Sequence, residues 1–253
     1  MKKIWKVTAD AVSETLFVTH ADGSTESMAL YDHQALQYIA YLFMKTSWNC
    51  KWTYNFNWFG RPIIQLPEDM LMLQEVIYRV KPDVLIETGV AHGGSGVFYA
   101  SLFEAMGKGR VISIDIEIRP HNREALERHP LIKRITLIER SSTDPKTLSE
   151  VRELLKPGET VMVVLDSNHT RAHVLRELAL YSPLVTPGSY IVATDGNMVD
   201  LYDVPRGNPE WVTDNPKSAV HDFLESHPEF SIDAEPTRLA PLTGSPDGYL
   251  KRR

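Results

Sequence analysis

Residues 84–95 read VLIETGVAHGGS, an apolar run that ends in a glycine-rich turn, and this stretch decides the fold. Runs that are apolar on both faces are typical of parallel strands buried between layers of helices. Four more follow along the chain: VISIDI at 111–116, RITLIE at 134–139, VMVVLD at 161–166 and YIVATD at 190–195. The segments between the runs are long enough for crossover helices, at 95–106, 121–129, 145–156 and 170–181. The sequence therefore predicts an α/β fold with a doubly wound, mostly parallel sheet.

The chain after the fifth run completes the predicted sheet. Residues 196–217 are rich in Pro, Gly and Asn, and a connection of that length predicts a functional loop. A helix near 218–226 follows, then a strand at 229–235, and then the segments RLAPL at 238–242 and GYLKRR at 248–253 around the turn at 245–248. The predicted total is seven strands. The last pair is predicted to form a hairpin that leaves the final strand antiparallel.

The residues before the first run predict a small N-terminal extension. Within residues 1–30, two strand-like segments flank the dipeptide Asp22-Gly23, which is a hairpin signal. Residues 31–45 predict a helix whose apolar face carries Leu36, Ile39, Ala40 and Phe43. An aromatic run at 48–59 has no clean periodicity, and we expect a lid, a pocket wall or an oligomer contact. Proline and acids then open a second helix at Pro67.

Composition limits the class of protein. The chain has 253 residues, of which 43% are hydrophobic and 24% charged, as in a packed globular protein. A net charge of -6 argues against nucleic acid or an anionic membrane as the main partner and suits an enzyme that acts on small molecules. The apolar runs are strand-sized, so we expect no membrane span or signal peptide. Cys50 is the one cysteine, which excludes an internal disulfide and predicts a reducing cytoplasmic location, while a lone catalytic thiol stays open.

The glycine-rich turn is the first candidate for ligand binding. Ligands of open α/β sheets bind at the carboxyl ends of the strands, and glycines there let a ligand approach the backbone and free N–H groups of the next helix. The turn differs from the dinucleotide fingerprint because Glu87 stands in place of the first glycine. The alternative is a glycine turn without a ligand. The candidate residues are Glu87, Gly89, His92, Gly93, Gly94 and Ser95.

Polar residues also end the next two runs. Asp115 lies 26 residues after Gly89, where an acid accepts hydrogen bonds from the ribose of a bound nucleoside. The competing interpretation of Asp115 is a helix N-cap. Ser142 follows the third run and is a candidate neighbour of an adenine, although serine before a helix is more often a capping residue.

Two carboxylates end the fourth and fifth runs. Asp166 and Asp195 are predicted to lie on neighbouring strand ends, where they repel unless a cation, a proton or a basic side chain offsets them. A divalent ion with oxygen ligands is one solution, which predicts a Mg²⁺ site. The alternative is a pair of solvated or capping carboxylates.

At this point the chain resembles a known family. From about residue 58 to residue 195, the motifs GRPIIQLPEDM, VLIETGVAHGGS, SIDIEIRPHN, ITLIERSS and VVLDSNHT occur in the order found in the cephalosporin hydroxylase family. The resemblance implies a Rossmann-like, S-adenosylmethionine-dependent methyltransferase, related to catechol and macrolide-sugar O-methyltransferases. We therefore divide the chain into a hairpin, helix and aromatic lid segment at 1–60 and a methyltransferase domain at 61–253.

The resemblance also implies roles for the turn and the strand ends. Glu87, Gly89 and the turn at 93–95 would hold the methionine part of the cofactor, Asp115 would bind the ribose, and Ser142 would lie by the adenine. His92 would shape the cofactor pocket rather than take part in chemistry.

The expected reaction centre follows from the same resemblance. Asp166, which borders both cofactor and acceptor, would hold Mg²⁺ together with Asp195. Relatives carry the third ligand directly after the second, but this chain has Gly196 there, so Asn197 is a substitute and the metal requirement is weakened. His169 lies three residues after Asp166, where a catechol-type enzyme has its basic lysine, and we expect it to be the general base. The alternatives for His169 are a histidine packed at a helix N-terminus and a metal ligand.

Three functional hypotheses remain at this stage. The first is an O-methyltransferase that acts on a hydroxyl of a sugar or natural product, with S-adenosylmethionine and Mg²⁺, as a homo-oligomer. The second is a nicotinamide-dependent oxidoreductase, disfavoured by Glu87. The third is a non-catalytic partner that keeps the fold. The identity of the acceptor depends on the N-terminal segment and on the loop at 196–217, which carry no motif that names a molecule.

Overall fold

The N-terminal part of the chain forms a small antiparallel sheet and one helix. The computed structural model describes residues 3–238 and 240–253. The predicted hairpin is confirmed as β2 (Thr15–His20) and β3 (Thr25–Ala29), and β1 (Ile4–Asp10) adds a third strand on the far side of β2. Helix α1 (His33–Asn49) begins at the N-cap Asp32, whose carboxylate accepts from the His33 amide, and runs four residues beyond the predicted end.

The exposed and buried faces of α1 differ from the prediction. Leu36, Ile39 and Phe43 are each more than two-fifths exposed, and of the predicted apolar face only Ala40 is buried. The residues that α1 buries are Ala35, Tyr38, Ala40, Met44 and Ser47. The spacing predicted the helix but not its buried side. That side packs partly against β2 and partly against a cluster that includes Leu201 and Leu242, contacts that helical spacing does not encode.

The aromatic segment connects α1 to the rest of the molecule. It contains a 3₁₀ turn (Trp52–Asn55) and the two-residue strands β4 (Asn57–Trp58) and β5 (Arg61–Pro62), which pair with each other. Helix α2 (Pro67–Val80) begins as predicted, with Pro67 at its start and two acids in its first turn.

The central sheet has seven strands in the order β8-β7-β6-β9-β10-β12-β11. All of them run parallel except β12, which pairs antiparallel with β10 and β11, so the predicted mixed sheet is confirmed. The strands are β6 (Val84–Thr88), β7 (Arg110–Asp115), β8 (Ile135–Glu139), β9 (Val161–Leu165), β10 (Tyr190–Ala193), β11 (Phe230–Ile232) and β12 (Tyr249–Arg252). The helices are α3 (Gly94–Met106), α4 (Pro120–Glu127), α5 (Pro145–Leu154), α6 (Arg171–Tyr181), α7 (Met198–Leu201) and α8 (Pro216–Leu224), with 3₁₀ turns at Pro130–Arg134, Ser182–Leu184 and Pro209–Val212.

The two faces of the sheet bury two separate cores. Side chains of a strand alternate between the faces, so Leu85 packs with α2 and α3 on one side, while Val84 and Ile86 pack with residues of α5, α6 and α8 on the other. This explains why the runs are apolar throughout. A third cluster joins Ala40 and Met44 of α1 to Leu66, Leu201 and Leu242.

The strand order fixes the place where a ligand binds. From β6 the chain continues to β7 on one side, and β9 lies on the other side of β6, so the carboxyl ends of β6 and β9 border the crevice where the strand order reverses. The division of the chain at residue 60 stays a prediction. None of the helices within residues 3–238 and 240–253 combines the length and apolar character that a membrane crossing requires.

Candidate active site

The turn after β6 requires glycine at two positions. Gly89 has φ 97°, and a Cβ there would overlap the backbone carbonyl oxygen of Asp166 at the end of β9. A Cβ at Gly94 would overlap the backbone oxygen of Pro62. The two glycines therefore let the turn fit between β9 and the β5 segment, at the crevice between β6 and β9.

Arg61 and Asn122 hold this turn in place. The Arg61 guanidinium donates to the His92 carbonyl oxygen from Nε at 2.9 Å and from Nη2 at 2.6 Å, and Nη2 also donates to Asn122 Oδ1 at 2.9 Å. Asn122 Nδ2 donates to the Ala91 carbonyl oxygen at 2.9 Å. Sequence reasoning missed both residues, although Arg61 and Asn122 lie within two of the motifs quoted for the family. His92 thus contributes its backbone oxygen to the turn.

Helix α3 begins in the turn with free backbone donors. Its N-cap is Gly93, at φ 83°, and no side chain within the described residues caps it. The first N–H groups of a helix lack partners within the helix and favour negative charge. The Gly93 N–H already donates to the Val90 carbonyl oxygen at 2.6 Å, so the donors suited to a carboxylate are the N–H groups of Gly94 and Ser95.

Glu87 lies beneath the turn and is buried. Its Oε1 accepts a hydrogen bond from Ser113 Oγ at 2.5 Å, and a Cβ at Gly96 would lie 2.7 Å from the same oxygen. Burial raises the pKa of Glu87 to about 7, bonds from Ser113 and Ser95 oppose the rise, and the charges of two neighbouring aspartates add to it. A cationic group near this carboxylate would stabilise its charged form.

Asp115 and Ser142 have partners that differ from the capping roles weighed for them. Asp115 Oδ2 accepts from the backbone N–H groups of Val90 at 2.7 Å and Ala91 at 3.0 Å, whereas the residue that precedes α4 as its N-cap is Arg119. Ser142 is buried, with Oγ 3.3 Å from His173 Nε2, and α5 is capped by Asp144 instead.

Asp166, His169 and Asp195 converge at the ends of β9 and β10. One ligand atom from each lies within 4.8 Å of the other two, and His169 Nε2 is 3.2 Å from Asp195 Oδ2. Thr194 Oγ1 donates to Asp166 Oδ1 at 2.6 Å and fixes that carboxylate. Asp195 has φ 55°, in the left-handed region that non-glycine residues rarely adopt outside tight turns and functional sites.

Burial and neighbouring charges both act on Asp166 and His169. Burial raises the pKa of Asp166 to about 7, the nearby Asp195 charge adds to the rise, and His169 together with bonds from Thr194 and Gln65 opposes it. Burial by itself lowers the pKa of His169, but the charges of Asp195 and Asp166 raise it above its usual value. A cation between the carboxylates would relieve this repulsion.

Gly196 and Asn197 lie where this chain departs from the predicted metal-ligand pattern. Asn197 is buried, and its Oδ1 has no hydrogen-bond partner among the residues that the structure describes. Its backbone N–H donates to the Gly244 carbonyl oxygen at 3.2 Å. A Cβ at Gly196 would lie 3.0 Å from the Pro246 carbonyl oxygen, so a side chain at position 196 is crowded.

A cavity of about 260 Å³ opens above these residues. Its lining includes Ala91, Asp166 and His169 together with Trp48 and Tyr54 of the aromatic segment. The aromatic segment is thus a pocket wall, one of the three roles expected for it.

The loop at 196–217 also reaches the cavity. Asn197 lines it, and Trp211 packs edge-on against Trp48, with ring centroids 5.8 Å apart. The N-terminal segment and this loop therefore meet at the cavity, as expected of the two parts that select the acceptor.

Asp69 is a further carboxylate in the cavity that sequence reasoning missed. It accepts hydrogen bonds from Thr243 Oγ1 at 2.6 Å and from the Gly244 N–H at 2.7 Å, which ties the start of α2 to the segment before β12. Burial raises its pKa to about 7, and the two hydrogen bonds oppose the rise. In the sequence, the one indication of Asp69 was its place among the acids in the first turn of α2.

Comparison with known proteins places the chain in a family. The family model described as Rhamnosyl O-methyltransferase/CmcI matches residues 50–253. A rhamnosyl O-methyltransferase of Mycobacterium tuberculosis is 30% identical over 191 residues, which cover 73% of this chain and 73% of that protein. Another, of Mycobacterium leprae, is 30% identical over 213 residues, which cover 80% of this chain and 88% of that protein.

Two solved structures share the fold of this chain. A CmcI structure with magnesium and S-adenosylmethionine matches with a TM-score of 0.56 at 18% identity, over 79% of this chain and 77% of that one. A CmcI structure without ligands matches with a TM-score of 0.55 at 20% identity, over 79% and 76%. The chain thus belongs to the rhamnosyl O-methyltransferase/CmcI family, which confirms the family, the fold and the S-adenosylmethionine-dependent O-methyltransferase class predicted from its sequence.

Proposed function

We propose that this protein transfers the methyl group of S-adenosylmethionine to a hydroxyl group of a sugar. The observation that carries the proposal is the cavity in which Asp166, His169 and Asp195 converge next to the glycine turn. The rhamnosyl O-methyltransferases among the relatives support a sugar as the acceptor. The aromatic side chains of Trp48, Tyr54 and Tyr249 are part of the cavity lining, and flat apolar rings suit the apolar face of a sugar ring.

The cofactor assignments keep the residues expected from the sequence. The amides of Gly94 and Ser95 at the start of α3 suit the carboxylate of the methionine part, and Gly93 shapes the turn that presents them. Glu87 supplies negative charge below the ammonium group of the cofactor. Asp115 supplies carboxylate oxygens for ribose hydroxyls, and hydrogen bonds from the Val90 and Ala91 N–H groups fix the position of its side chain. When bound, S-adenosylmethionine supplies an electrophilic methyl group on a sulfonium.

The residues present also fit Mg²⁺. Asp166 and Asp195 offer carboxylate oxygens, and the unpartnered Asn197 Oδ1 offers a third oxygen at the same cavity. Oxygen donors of this kind are those that Mg²⁺ prefers, with waters and substrate completing its shell. When bound, Mg²⁺ lowers the pKa of a hydroxyl that coordinates it.

His169 accepts the proton in this proposal. Its imidazole lies beside Asp195, whose charge stabilises the protonated ring once the acceptor hydroxyl has lost its proton. The main work of the other side chains is to orient the acceptor, because methyl transfer is an in-line displacement that depends on alignment. Thr194 keeps the Asp166 carboxylate fixed during this step.

We also propose that the protein assembles as a homo-oligomer through the outer face of α1. Leu36, Ile39 and Phe43 lie exposed on one side of this helix. Large apolar side chains grouped on a surface often mark an interface. Analytical ultracentrifugation of Ile39→Asp tests this: the variant should sediment as a smaller species than the wild type, and an unchanged sedimentation coefficient would contradict the proposal.

Calorimetry tests the cofactor and the metal together. S-adenosylmethionine should bind the wild type, and Mg²⁺ should bind the cofactor-loaded protein. Asp166→Asn should lose most of the Mg²⁺ affinity, whereas Asp200→Asn, a nearby substitution outside the proposed ligand set, should keep it. Absence of heat with S-adenosylmethionine, combined with tight binding of NADH, would refute the proposed function.

A further inference from the structure

Two polar atoms in the cavity have no role in the function proposed so far. Trp48 Nε1 and Gln65 Oε1 are buried and have no hydrogen-bond partner within the described residues, and both side chains line the cavity. Buried polar groups in folded proteins nearly always have a partner. Asn197 Oδ1 also lacks a hydrogen-bond partner within the described residues, and the proposed function assigns it to Mg²⁺. The first two atoms therefore call for a partner that the cavity itself would admit.

Gln65 is fixed at one end and free at the other. It lies between β5 and α2, with Ile64 and Leu66 beside it on the cavity wall. Its amide lies next to the Asp166 carboxylate and the Tyr99 hydroxyl and acts on both groups. A carboxylate only accepts hydrogen bonds, so the amide nitrogen faces Asp166 and the amide oxygen is the free end. The free oxygen is an acceptor close to the reacting groups.

Trp48 is the complementary donor in the cavity lining. It lies in the last turn of α1, and the edge contact with Trp211 fixes its ring. An indole N–H can only donate. Met44 and Ser47 line the cavity from the same helix, and all three precede residue 50, where the family match begins. This wall is therefore a feature of the chain that lies outside the matched region.

We propose that Gln65 and Trp48 select the acceptor by binding two of its oxygens. Gln65 Oε1 accepts a hydrogen bond from a hydroxyl other than the one that is methylated. Trp48 Nε1 donates to a second oxygen of the same acceptor. The ligand class is a polyhydroxylated ring, such as a hexose or deoxyhexose with a free hydroxyl beside the methylated position. This inference rests on the proposed function, whose cofactor site it leaves unchanged.

Calorimetry with a defined sugar tests the inference. The probe is methyl α-L-rhamnopyranoside, titrated into protein loaded with S-adenosylhomocysteine and Mg²⁺. Gln65→Met keeps the length of the side chain and Trp48→Phe keeps an aromatic ring, and each variant removes the free acceptor or donor. Each should weaken sugar binding by roughly tenfold, as expected for one hydrogen bond lost and one polar group left unpaired. Both should bind S-adenosylhomocysteine like the wild type, which shows that they fold.

Matched controls separate the cavity from the rest of the chain. Gln74→Met, on α2 away from the cavity, and Trp5→Phe, on the exposed part of β1, should bind the sugar like the wild type. Wild-type sugar affinity in Gln65→Met and Trp48→Phe would overturn the inference. Failure of the loaded wild type to bind the rhamnoside or any other methyl glycoside of a panel would also overturn it. Failure to bind S-adenosylhomocysteine would instead refute the proposed function beneath it.

Discussion

His169 is the side chain on which proton transfer depends in our account. His169→Gln should lower kcat by roughly 10² to 10⁴, the range typical of a lost general base, while the affinity for S-adenosylhomocysteine stays within a few fold. His173→Gln, at the neighbouring histidine, serves as the matched control and should keep most of its activity. Steady-state kinetics with separate calorimetry measures both effects. If His169 were a metal ligand instead, Mg²⁺ affinity would fall together with kcat.

Glu87 makes the stability of the ligand-free protein depend on pH. Its pKa is raised to about 7 in the folded state because it is buried, so between about pH 4.5 and pH 7 the folded state binds more protons than the unfolded state. Stability therefore falls as pH rises through this range, by up to about 3 kcal/mol from this group. Glu87→Gln should reduce the fall.

Thermal unfolding at pH 5.5 and pH 8 measures this effect. Between pH 5.5 and pH 8, the unfolding temperature of the wild type should fall by more than that of Glu87→Gln. Glu75→Gln, on the exposed part of α2, should behave like the wild type. An equal loss in Glu87→Gln and in the wild type would show that Glu87 is ionised at little cost in the folded protein.

The sequence predicted the residues whose position follows from the sheet alone. Asp166, Asp195 and His169 follow strand ends, and parallel strands bring their carboxyl ends together whatever the rest of the chain does. Arg61 and Asp69 escaped prediction because their partners are fixed by the tertiary structure. Asp69, for example, bonds to Thr243, which is 174 positions away.

The loop after β10 leaves little room for a side chain at position 196, where relatives carry the third metal ligand. A Cβ at Gly196 would press against the Pro246 carbonyl oxygen, so restoring an acid there with Gly196→Asp should destabilise the protein by about 1–3 kcal/mol. We expect no gain in Mg²⁺ affinity, because we propose Asn197 Oδ1 as the third oxygen ligand. Gly196→Ala should lose similar stability without adding charge. Urea unfolding and Mg²⁺ titration check both variants, and tighter Mg²⁺ binding by Gly196→Asp would contradict the role of Asn197.

For helix α1, the sequence pattern predicted the element but not the face that it buries. Its periodicity indicated a helix, and the structure confirms one. The face that packs inward was wrong, since Met44 contacts a cluster that includes Leu201 and Leu242, residues about 160 to 200 positions later. The central strands were easier to predict because both of their faces are buried, so no choice of face arises.

The whole molecule is expected to fold as a connected unit across the division at residue 60. The fragment 61–253 would lose the α1 side chains that cover Leu66, Leu201 and Leu242. Each fully buried leucine contributes about 1.5–3 kcal/mol, so the fragment should unfold at a clearly lower urea concentration than the full chain. Circular dichroism during urea unfolding measures the two midpoints. Equal midpoints would show that residues 1–60 form an independent unit.

The most direct test of the central claim is mass spectrometry of the acceptor after incubation with methyl-labelled S-adenosylmethionine, Mg²⁺ and a panel of rhamnosides and other glycosides. The account predicts that at least one sugar gains a single labelled methyl group on oxygen with the wild type. Asp166→Asn should transfer far less of the label. Binding of the methyl donor without transfer to any glycoside, or transfer that is equal in Asp166→Asn, would contradict it.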